Sequence, residues 1–272
     1  MRVTLLGTGD TAGTPVPRCD CETCARARET GQERSRFSVH VENERTGESL
    51  LIDASPDFRA QFLDTGVPLP DEAIITHVHF DHLDGLGNAY RLLSDLPVHA
   101  ADETDPETGE SVAETVERRY GYLNQVSVHS QTPYEPFEAA GFTVTLVPVE
   151  HPPLVCYGRR VEGPDATLAL TGDTRFAIPD RSMDALRDAD LLLAEAIMPA
   201  AMCEHHPLGG FDEGEDGIPR SFGTKHMTRE GAFAMAEELD ADDVRLVHLS
   251  HRYPADEAFD PKLAVDGEQI QL

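Results

Sequence analysis

The stretch Thr76-His77-Val78-His79-Phe80-Asp81-His82 places four metal-ligand side chains within six residues. In an extended chain, residues two apart face the same side, so His77 and His79 can converge on one ion. The chain then turns, and Asp81 and His82 can face a second ion beside the first. Burying four such donors without a metal would be costly, so this stretch predicts a metal site.

Three further candidate ligands lie at the ends of predicted strands. His151 follows Phe142–Val149, Asp173 follows Ala166–Thr171, and His248 closes Val244–His248. A single histidine at the end of a strand is usually an ordinary surface residue. Together with the histidine-rich stretch, however, these residues complete a set of seven candidate ligands for two metals.

Three of the five cysteines are clustered in the segment Arg18-Cys19-Asp20-Cys21-Glu22-Thr23-Cys24. The N-terminus, Met1–Asp10, is strand-like and runs into a glycine turn, so we do not expect it to be a secretion signal. In a chain without such a signal, clustered cysteines indicate metal binding rather than disulfides. Three thiolates at this spacing need a fourth ligand from elsewhere in the chain.

The hydrophobic pattern predicts one domain over residues 1–272, of the α/β (α+β) class. Apolar alternation and buried-type runs predict strands at Arg2–Leu6, Phe37–Val41, Ser49–Asp53, Ala73–Thr76, Val98–Ala100, Phe142–Val149, Ala166–Thr171, Leu191–Glu195 and Val244–His248. Helical periodicity predicts helices after Pro56 and at Leu83–Leu93, Glu110–Leu123, Arg181–Asp188 and Thr228–Leu239.

The segment Pro199–Lys225 reads as one long irregular stretch. It holds five glycines and three prolines in 27 residues, which exceeds the usual length of a connecting loop. We therefore expect a lid or binding loop at about residues 199–225. A second special segment, the cysteine-rich loop, is expected at about residues 14–30.

The histidine-rich stretch resembles the H-x-H-x-D-H motif of the metallo-β-lactamase superfamily. This resemblance implies a four-layer αββα sandwich with the site at the edge between its two sheets. It also implies the ligand assignment: His77, His79 and His151 would hold one divalent metal, Asp81, His82 and His248 the other, and Asp173 would bridge them.

The cysteine cluster and the segment Val247-His248-Leu249-Ser250-His251 resemble one subgroup of that superfamily. This is the subgroup of the phosphoribosyl cyclic phosphate phosphodiesterases of phosphonate breakdown. The resemblance implies a separate structural zinc bound by Cys19, Cys21, Cys24 and His251, a closed Cys₃His set that structural zinc prefers. It also suggests a homodimer.

Two divalent metals a few ångströms apart would activate a water and clamp a phosphate, and the donor types suit Mn²⁺ or Zn²⁺ equally. Asp81 would orient the nucleophile as well as bind metal. His226 is the candidate for protonating the leaving oxygen, the alternative being a surface histidine at the start of a helix. Lys225, Arg220 and Arg175 could hold a terminal phosphate of the substrate or simply pair with nearby carboxylates.

These features predict a binuclear-metal phosphodiesterase, with phosphoribosyl 1,2-cyclic phosphate as the expected substrate. Three alternatives stay open: a cyclic nucleotide or other phosphodiester hydrolase, a hydrolase of acyl substrates, and a cofactor-biosynthesis relative of the pyrroloquinoline quinone type. The last is suggested by the segment Ala54-Ser55-Pro56-Asp57-Phe58-Arg59, which resembles that branch more closely.

The net charge of −28, from 50 acidic and 22 basic residues, limits the partners. Such a surface repels a nucleic-acid backbone, and the sequence contains no basic arm. No apolar run approaches the ~20 residues that cross a bilayer, so a membrane partner is not expected either. We interpret the acidity as adaptation to high salt and expect a cytoplasmic protein of a halophile that acts on a small anionic phosphodiester.

Overall fold

The structure, a computed structural model, describes residues 1–260 and 263–272. Its strands are, in chain order, β1 (Arg2–Gly7), β2 (Ser38–Glu42), β3 (Ser49–Ile52), β4 (Glu72–Ile75), β5 (Leu96–Ala101), β6 (Val126–Gln131), β7 (Phe137–Ala139), β8 (Phe142–His151), β9 (Leu154–Glu162), β10 (Thr167–Leu170), β11 (Leu191–Glu195), β12 (Gly210–Glu213), β13 (Pro219–Phe222), β14 (His226–Met227), β15 (Val244–Val247) and β16 (Gln269–Gln271).

The helices are shorter and lie between these strands. They are α1 (Glu22–Thr30), α2 (Phe58–Thr65), α3 (Phe80–Leu83), α4 (Ala89–Leu92), α5 (Val112–Tyr120), α6 (Asp180–Leu186) and α7 (Arg229–Glu238), with 3₁₀ turns at Asp84–Asn88 and Ala200–His205. None of the helices in the described ranges is long and apolar enough to cross a membrane.

Two large mixed sheets form the centre of the molecule. The first has the order β16-β1-β2-β3-β4-β5-β6, and the second has the order β15-β11-β10-β9-β8-β7. Helices α2 and α5 pack on the first sheet, and α6 and α7 pack on the second. The result is the predicted four-layer αββα sandwich, so the predicted fold class is confirmed.

Alternation along the central strands shows how each sheet is covered on both faces. In β10, Leu168 and Leu170 join the large core between the sheets, whereas Ala169 joins the core under α6 and α7. In β11, Leu193 joins the core between the sheets and Leu192 joins the core under α6 and α7. Because successive side chains of a strand point to opposite faces, an almost continuous apolar run is what a doubly covered strand requires.

The topology gathers polar strand ends at one edge of the sandwich. Strands β10, β11 and β15 run parallel to one another in the second sheet, and β3 and β4 run parallel in the first. Their carboxyl ends therefore lie on the same side, where parallel sheets characteristically place their ligand-binding residues. The candidate ligands after β4, β10 and β15 come together at this edge.

Three expectations about elements were wrong. The helix expected at Leu83–Leu93 is broken into α3, a 3₁₀ turn and α4, because the Gly85 backbone N–H donates to the Ala54 carbonyl at 2.8 Å and not to the preceding helical turn. The segment expected to be irregular contains β12 and β13, which form a three-stranded sheet with β14. The loop expected at about residues 14–30 ends in helix α1. Strand β9, the partner of β8 over nine residues, was not predicted at all.

Candidate metal centre

The first donor group consists of three imidazoles. His77 and His79 follow β4, and His151 ends β8. His77 Nε2 lies 3.0 Å from His79 Nδ1, which lies 3.3 Å from His151 Nε2. Three ring nitrogens that face one another at these distances can all be satisfied by one shared cation. The structure thus brings together the three residues expected to hold the first metal.

The second donor group lies beside the first. Asp81 and His82 lie on the single turn of α3, and His248 follows β15. The Asp81 carboxylate lies 3.5 Å from His82 Nε2 and 3.7 Å from His248 Nε2. Both of these nitrogens are buried and have no hydrogen-bond partner among the described residues. Buried nitrogens without a partner are costly, and a metal ion between them would remove that cost.

Asp173 lies between the two donor groups. Its Oδ2 atom is 3.8 Å from His77 Nε2, 3.4 Å from His82 Nε2 and 3.3 Å from His248 Nε2. A tight turn at Gly172 (φ +65°) presents this carboxylate, and a Cβ atom there would lie 2.7 Å from the Tyr157 carbonyl oxygen. The position expected of a bridging ligand is therefore fixed by backbone geometry.

The rings of His82 and His151 are each held in place through the nitrogen that faces away from the centre. Asp53 accepts a hydrogen bond from His82 Nδ1 at 2.7 Å and also binds the Thr76 backbone N–H at 2.8 Å. The Lys225 carbonyl oxygen accepts from His151 Nδ1 at 3.0 Å. Because these acceptors cannot donate, Nδ1 carries the proton in both rings and Nε2 offers its lone pair to the centre.

A second buried carboxylate, Glu195 at the end of β11, supports the other side of the centre. It accepts hydrogen bonds from Thr174 N at 2.7 Å and from His226 Nδ1 at 3.0 Å, and it lies 3.6 Å from His248 Nδ1. Sequence reasoning assigned no role to Asp53 or Glu195. Their signal was present, since each acidic residue closes an apolar strand in the same way as the candidate ligands do.

Electrostatics favours cations at this position. Burial lowers the pKa of the His151 imidazole to about 4, so this ring is neutral and its lone pair is available near pH 7. Burial also opposes a charge on His82 and His248, but the Asp173 carboxylate and its neighbours outweigh burial and raise the pKa of both rings. The negative field that would hold protons there would equally hold divalent metals, so the donor sets fit them.

His226, the candidate acid, lies at the same centre on β14. Its ring centroid is 4.9 Å from that of His151 and 5.4 Å from that of His248, and its side chain is 19% exposed. The hydrogen bond to Glu195 fixes Nδ1, which leaves Nε2 as the atom free to exchange a proton. The structure thus places His226 next to the candidate ligands.

The four residues of the expected zinc site also come together. His251 Nδ1 lies 3.5 Å from the Cys19 sulfur and 3.4 Å from the Cys21 sulfur, and all four ligand atoms, including that of Cys24, lie within 4.8 Å of one another. The Cys21 side chain caps α1 by accepting from the Cys24 backbone N–H. The first turn of that helix therefore brings the second and third thiols to one side.

Two of the three candidate phosphate-binding cations are already paired. Arg175 forms a bidentate ion pair with Asp212 on β12. Arg220 lies 2.9 Å from Asp216 within the same hairpin. The third cation, Lys225, has no carboxylate within 4.0 Å of its ammonium group among the described residues.

A family model, the beta-lactamase superfamily domain, matches residues 48–249. The chain therefore belongs to the metallo-β-lactamase superfamily, the class of metal-dependent hydrolases that this fold and these donor groups define.

Solved structures and a curated protein show which members of this superfamily the chain is similar to. The crystal structure of a diphosphatase from the PhnP family is 28% identical, with a TM-score of 0.77 over 100% of this chain and 97% of that chain. Zinc-bound PqqB from Methylobacterium extorquens shares the fold, with a TM-score of 0.78 at 19% identity over 100% of both chains. An octanoyltransferase of Porphyromonas gingivalis is 27% identical over 93% of this chain. The chain spans about half of that curated relative, 47% of its length.

Proposed function

We propose that this protein is a two-metal phosphodiesterase that hydrolyses a small cyclic phosphate, with phosphoribosyl 1,2-cyclic phosphate as the leading substrate. The observation that carries the proposal is the position of Asp173, whose one carboxylate oxygen lies within 3.8 Å of histidines from both donor groups. A carboxylate shared in this way favours two neighbouring cations over one. Two-metal centres of this kind suit in-line displacement at phosphorus.

His77, His79 and His151 would hold one cation, Asp81, His82 and His248 the other, and Asp173 both. Two divalent cations bound there would supply Lewis acidity, which makes water nucleophilic near neutral pH and neutralises charge on a phosphate. We assign a structural zinc to Cys19, Cys21, Cys24 and His251, as a site separate from the two-metal centre.

The remaining steps fall to side chains of the chain itself. Asp81, anchored in the first turn of α3, would orient the nucleophile towards the phosphorus atom. His226 holds its Nδ1 proton on Glu195, so a proton on Nε2 is the one that can pass to the leaving oxygen. This acid is partly exposed, which allows it to regain a proton from solvent after each turnover.

A second candidate function is hydrolysis of a small organic diphosphate. The specific observation in its favour is the 28% identity, over 97% of its length, to a protein described as a diphosphatase of the PhnP family. Both reactions displace an oxygen at phosphorus, so the same donor groups and the same acid could serve either one. The difference would lie in how the rest of the substrate is bound.

Phosphorus NMR of phosphoribosyl 1,2-cyclic phosphate with the Mn²⁺- or Zn²⁺-loaded protein in concentrated KCl tests the proposal. We expect the cyclic ester to open to a phosphomonoester, and a His79→Ala variant serves as the blank. Survival of the cyclic ester while a small organic diphosphate is cleaved would favour the second candidate. If neither is cleaved although the metals are bound, hydrolysis at phosphorus is wrong.

A further inference from the structure

The turn between β13 and β14 places Lys225 at the metal centre. The backbone carbonyl of Lys225 accepts the hydrogen bond from His151 Nδ1 at 3.0 Å, and the next residue is His226. The main chain at Lys225 is thus held between a candidate ligand and the candidate acid. Its half-buried side chain starts from this fixed point.

Lys225 lies on the open side of the centre. His79 is less buried than His77 and His151 and marks the side of the first donor group that faces solvent. Lys225 is half-buried like His79. Both residues contact His151, Lys225 through its carbonyl oxygen at 3.0 Å and His79 through Nδ1 at 3.3 Å, so the Lys225 side chain starts beside the open side of this donor group.

The ammonium group of Lys225 forms no ion pair with a carboxylate of the described residues, although the chain has 50 acidic residues. Arg175 and Arg220 in the same region are each neutralised by an aspartate, whereas the ammonium group of Lys225 has no such partner among the described residues. Inside the centre, Glu195 is already paired with His226. The charge of two divalent cations would be balanced by Asp81, Asp173, one phosphodiester and one hydroxide. None of these anions would then be left to balance the charge of Lys225.

The hairpin that carries Lys225 is firmly attached to the rest of the protein. Ser221 on β13 accepts a hydrogen bond from the Phe176 backbone N–H at 2.8 Å and donates one to Asp212 at 2.6 Å. Asp212 in turn holds Arg175, two residues beyond Asp173. These contacts fix the hairpin to the loop that carries the shared ligand, so Lys225 extends from a preorganised support.

We propose that Lys225 determines specificity by binding a second anionic group of the substrate, a phosphomonoester distinct from the phosphodiester that is cleaved. This inference rests on the proposed function and deepens it. In the leading substrate this group is the 5-phosphate of the ribose. An ammonium group supplies three donors and a compact charge for this purpose.

The test compares ribose 1,2-cyclic phosphate with and without a 5-phosphate, using the metal-loaded full chain. For the phosphorylated compound, Lys225→Met should lower kcat/KM roughly 10- to 100-fold, mostly through KM, because a hydrogen-bonded charge is removed. For the compound without the 5-phosphate, the change should stay within about twofold. Lys225→Arg should restore most of the loss. Arg220→Met, which removes a charge from the same hairpin, should leave the ratio between the two compounds unchanged.

Several results would overturn the assignment. An equal loss for both compounds would mean that Lys225 acts on the phosphodiester or on folding, and no loss for either would mean that it binds no anion. If the wild-type chain cleaves neither compound, the proposed function is wrong. In that case calorimetric binding of ribose 5-phosphate still tests Lys225, because its affinity should fall about tenfold in Lys225→Met, and an unchanged affinity would refute the assignment.

Discussion

At the scale of single residues, the centre depends on side chains that touch no substrate. Asp53 binds His82 Nδ1 at 2.7 Å and Thr76 Oγ1 at 2.9 Å, so it joins a ligand ring to the end of β4. The fully buried Arg159 lies 4.0 Å behind this carboxylate. Partners of this kind orient a ligand ring and raise its basicity, and their loss typically costs 10- to 100-fold in metal affinity.

We therefore expect Asp53→Asn to weaken binding of the metal held by His82, by roughly 10- to 100-fold. An amide cannot accept from His82 as strongly as a carboxylate does, and one of its faces presents donors instead. Metal titration by calorimetry measures the change. Asp165→Asn, which alters an exposed carboxylate paired with Arg45, is the matched control and should bind metal normally. Equal affinities in both variants would contradict the role of Asp53.

His226→Asn should reduce kcat for an alkyl cyclic phosphate about 10²- to 10⁴-fold, the usual contribution of a general acid. A phosphodiester with a p-nitrophenolate leaving group needs no protonation and should lose far less. Steady-state kinetics on both substrates separates proton delivery from a positional effect. A similar loss on both substrates would show that His226 supports the centre without acting as the acid.

His40 on β2 predicts a pH dependence of stability. The buried ring packs against Phe62, and burial lowers the pKa of His40 from 6.5 to about 4. Because the unfolded chain takes up this proton first, the stabilisation is complete above pH 6.5 and is lost as the pH falls towards 4. Between pH 6.5 and pH 5 the loss should be about 2 kcal/mol.

Urea unfolding of the wild type and of His40→Gln across pH 5 to 8 measures this contribution. The difference between the two unfolding free energies should shrink by about 2 kcal/mol as the pH falls from 6.5 to 5. The comparison cancels the titration of the other histidines, which both proteins share. A difference that does not vary with pH would disprove the assignment to His40.

At the scale of elements, the cysteine site links the N-terminal loop to the strand that carries His248. The Leu249 backbone N–H donates to the Thr8 carbonyl at 2.9 Å, and the Asp10 N–H donates to the Leu249 carbonyl at 3.1 Å. His251 follows two residues later and faces the three thiols. The same short segment thus serves both candidate metal sites.

Cys24→Ala should remove one zinc per chain and lower the melting temperature, because a structural zinc contributes directly to folding. Activity should fall as well, since the backbone after His248 loses its anchor. Elemental analysis and thermal unfolding measure both effects. The control is Cys203→Ala, which removes a buried cysteine of the 3₁₀ turn Ala200–His205 and should leave the zinc content unchanged. An unchanged zinc content in Cys24→Ala would argue against the site.

The sequence predicts some elements well for a physical reason. Strands β10 and β11 are covered on both faces, so their apolar runs are continuous and easily recognised. Strand β9 was missed because Gly158, Arg159 and Arg160 interrupt its apolar pattern. Arg159 is nevertheless fully buried next to Asp53. No local sequence pattern predicts that an arginine will be buried beside a carboxylate from a distant part of the chain.

The candidate site likewise has residues that the sequence predicts and residues that it does not. The candidate metal ligands could be found because they occur in combination, as closely spaced histidines, aspartates and cysteines together with further histidines and an aspartate at strand ends. Their supports could not be found so directly, since the contact to His151 comes from the Lys225 main chain. A carbonyl oxygen is present at every residue and therefore leaves no trace in the sequence.

At the scale of the whole molecule, the charge of −28 causes repulsion within the compact state, and salt screens this repulsion. The Debye length falls from about 10 Å at 0.1 M salt to about 3 Å at 1 M. We expect the melting temperature to rise by roughly 5–10 °C between 0.1 and 2 M KCl, which corresponds to a few kcal/mol for a chain of this size.

Differential scanning calorimetry across this range of KCl checks the expectation. The metals should be kept saturating, so that salt does not act through their loss. A melting temperature that is constant or falls with added KCl would contradict the interpretation of the acidity as adaptation to high salt. The halophilic and cytoplasmic origin of the chain stays a prediction.

The contact between His151 and the main chain of Lys225 has a consequence for how this protein could diverge. Any amino acid at position 225 supplies the same carbonyl oxygen, so the orientation of His151 does not depend on which side chain stands there. Under the proposed role of Lys225, a mutation at this position would change which molecules the enzyme accepts while the support of His151 stays in place. Position 225 would therefore be a site where natural selection, or a protein engineer, alters substrate preference in single steps.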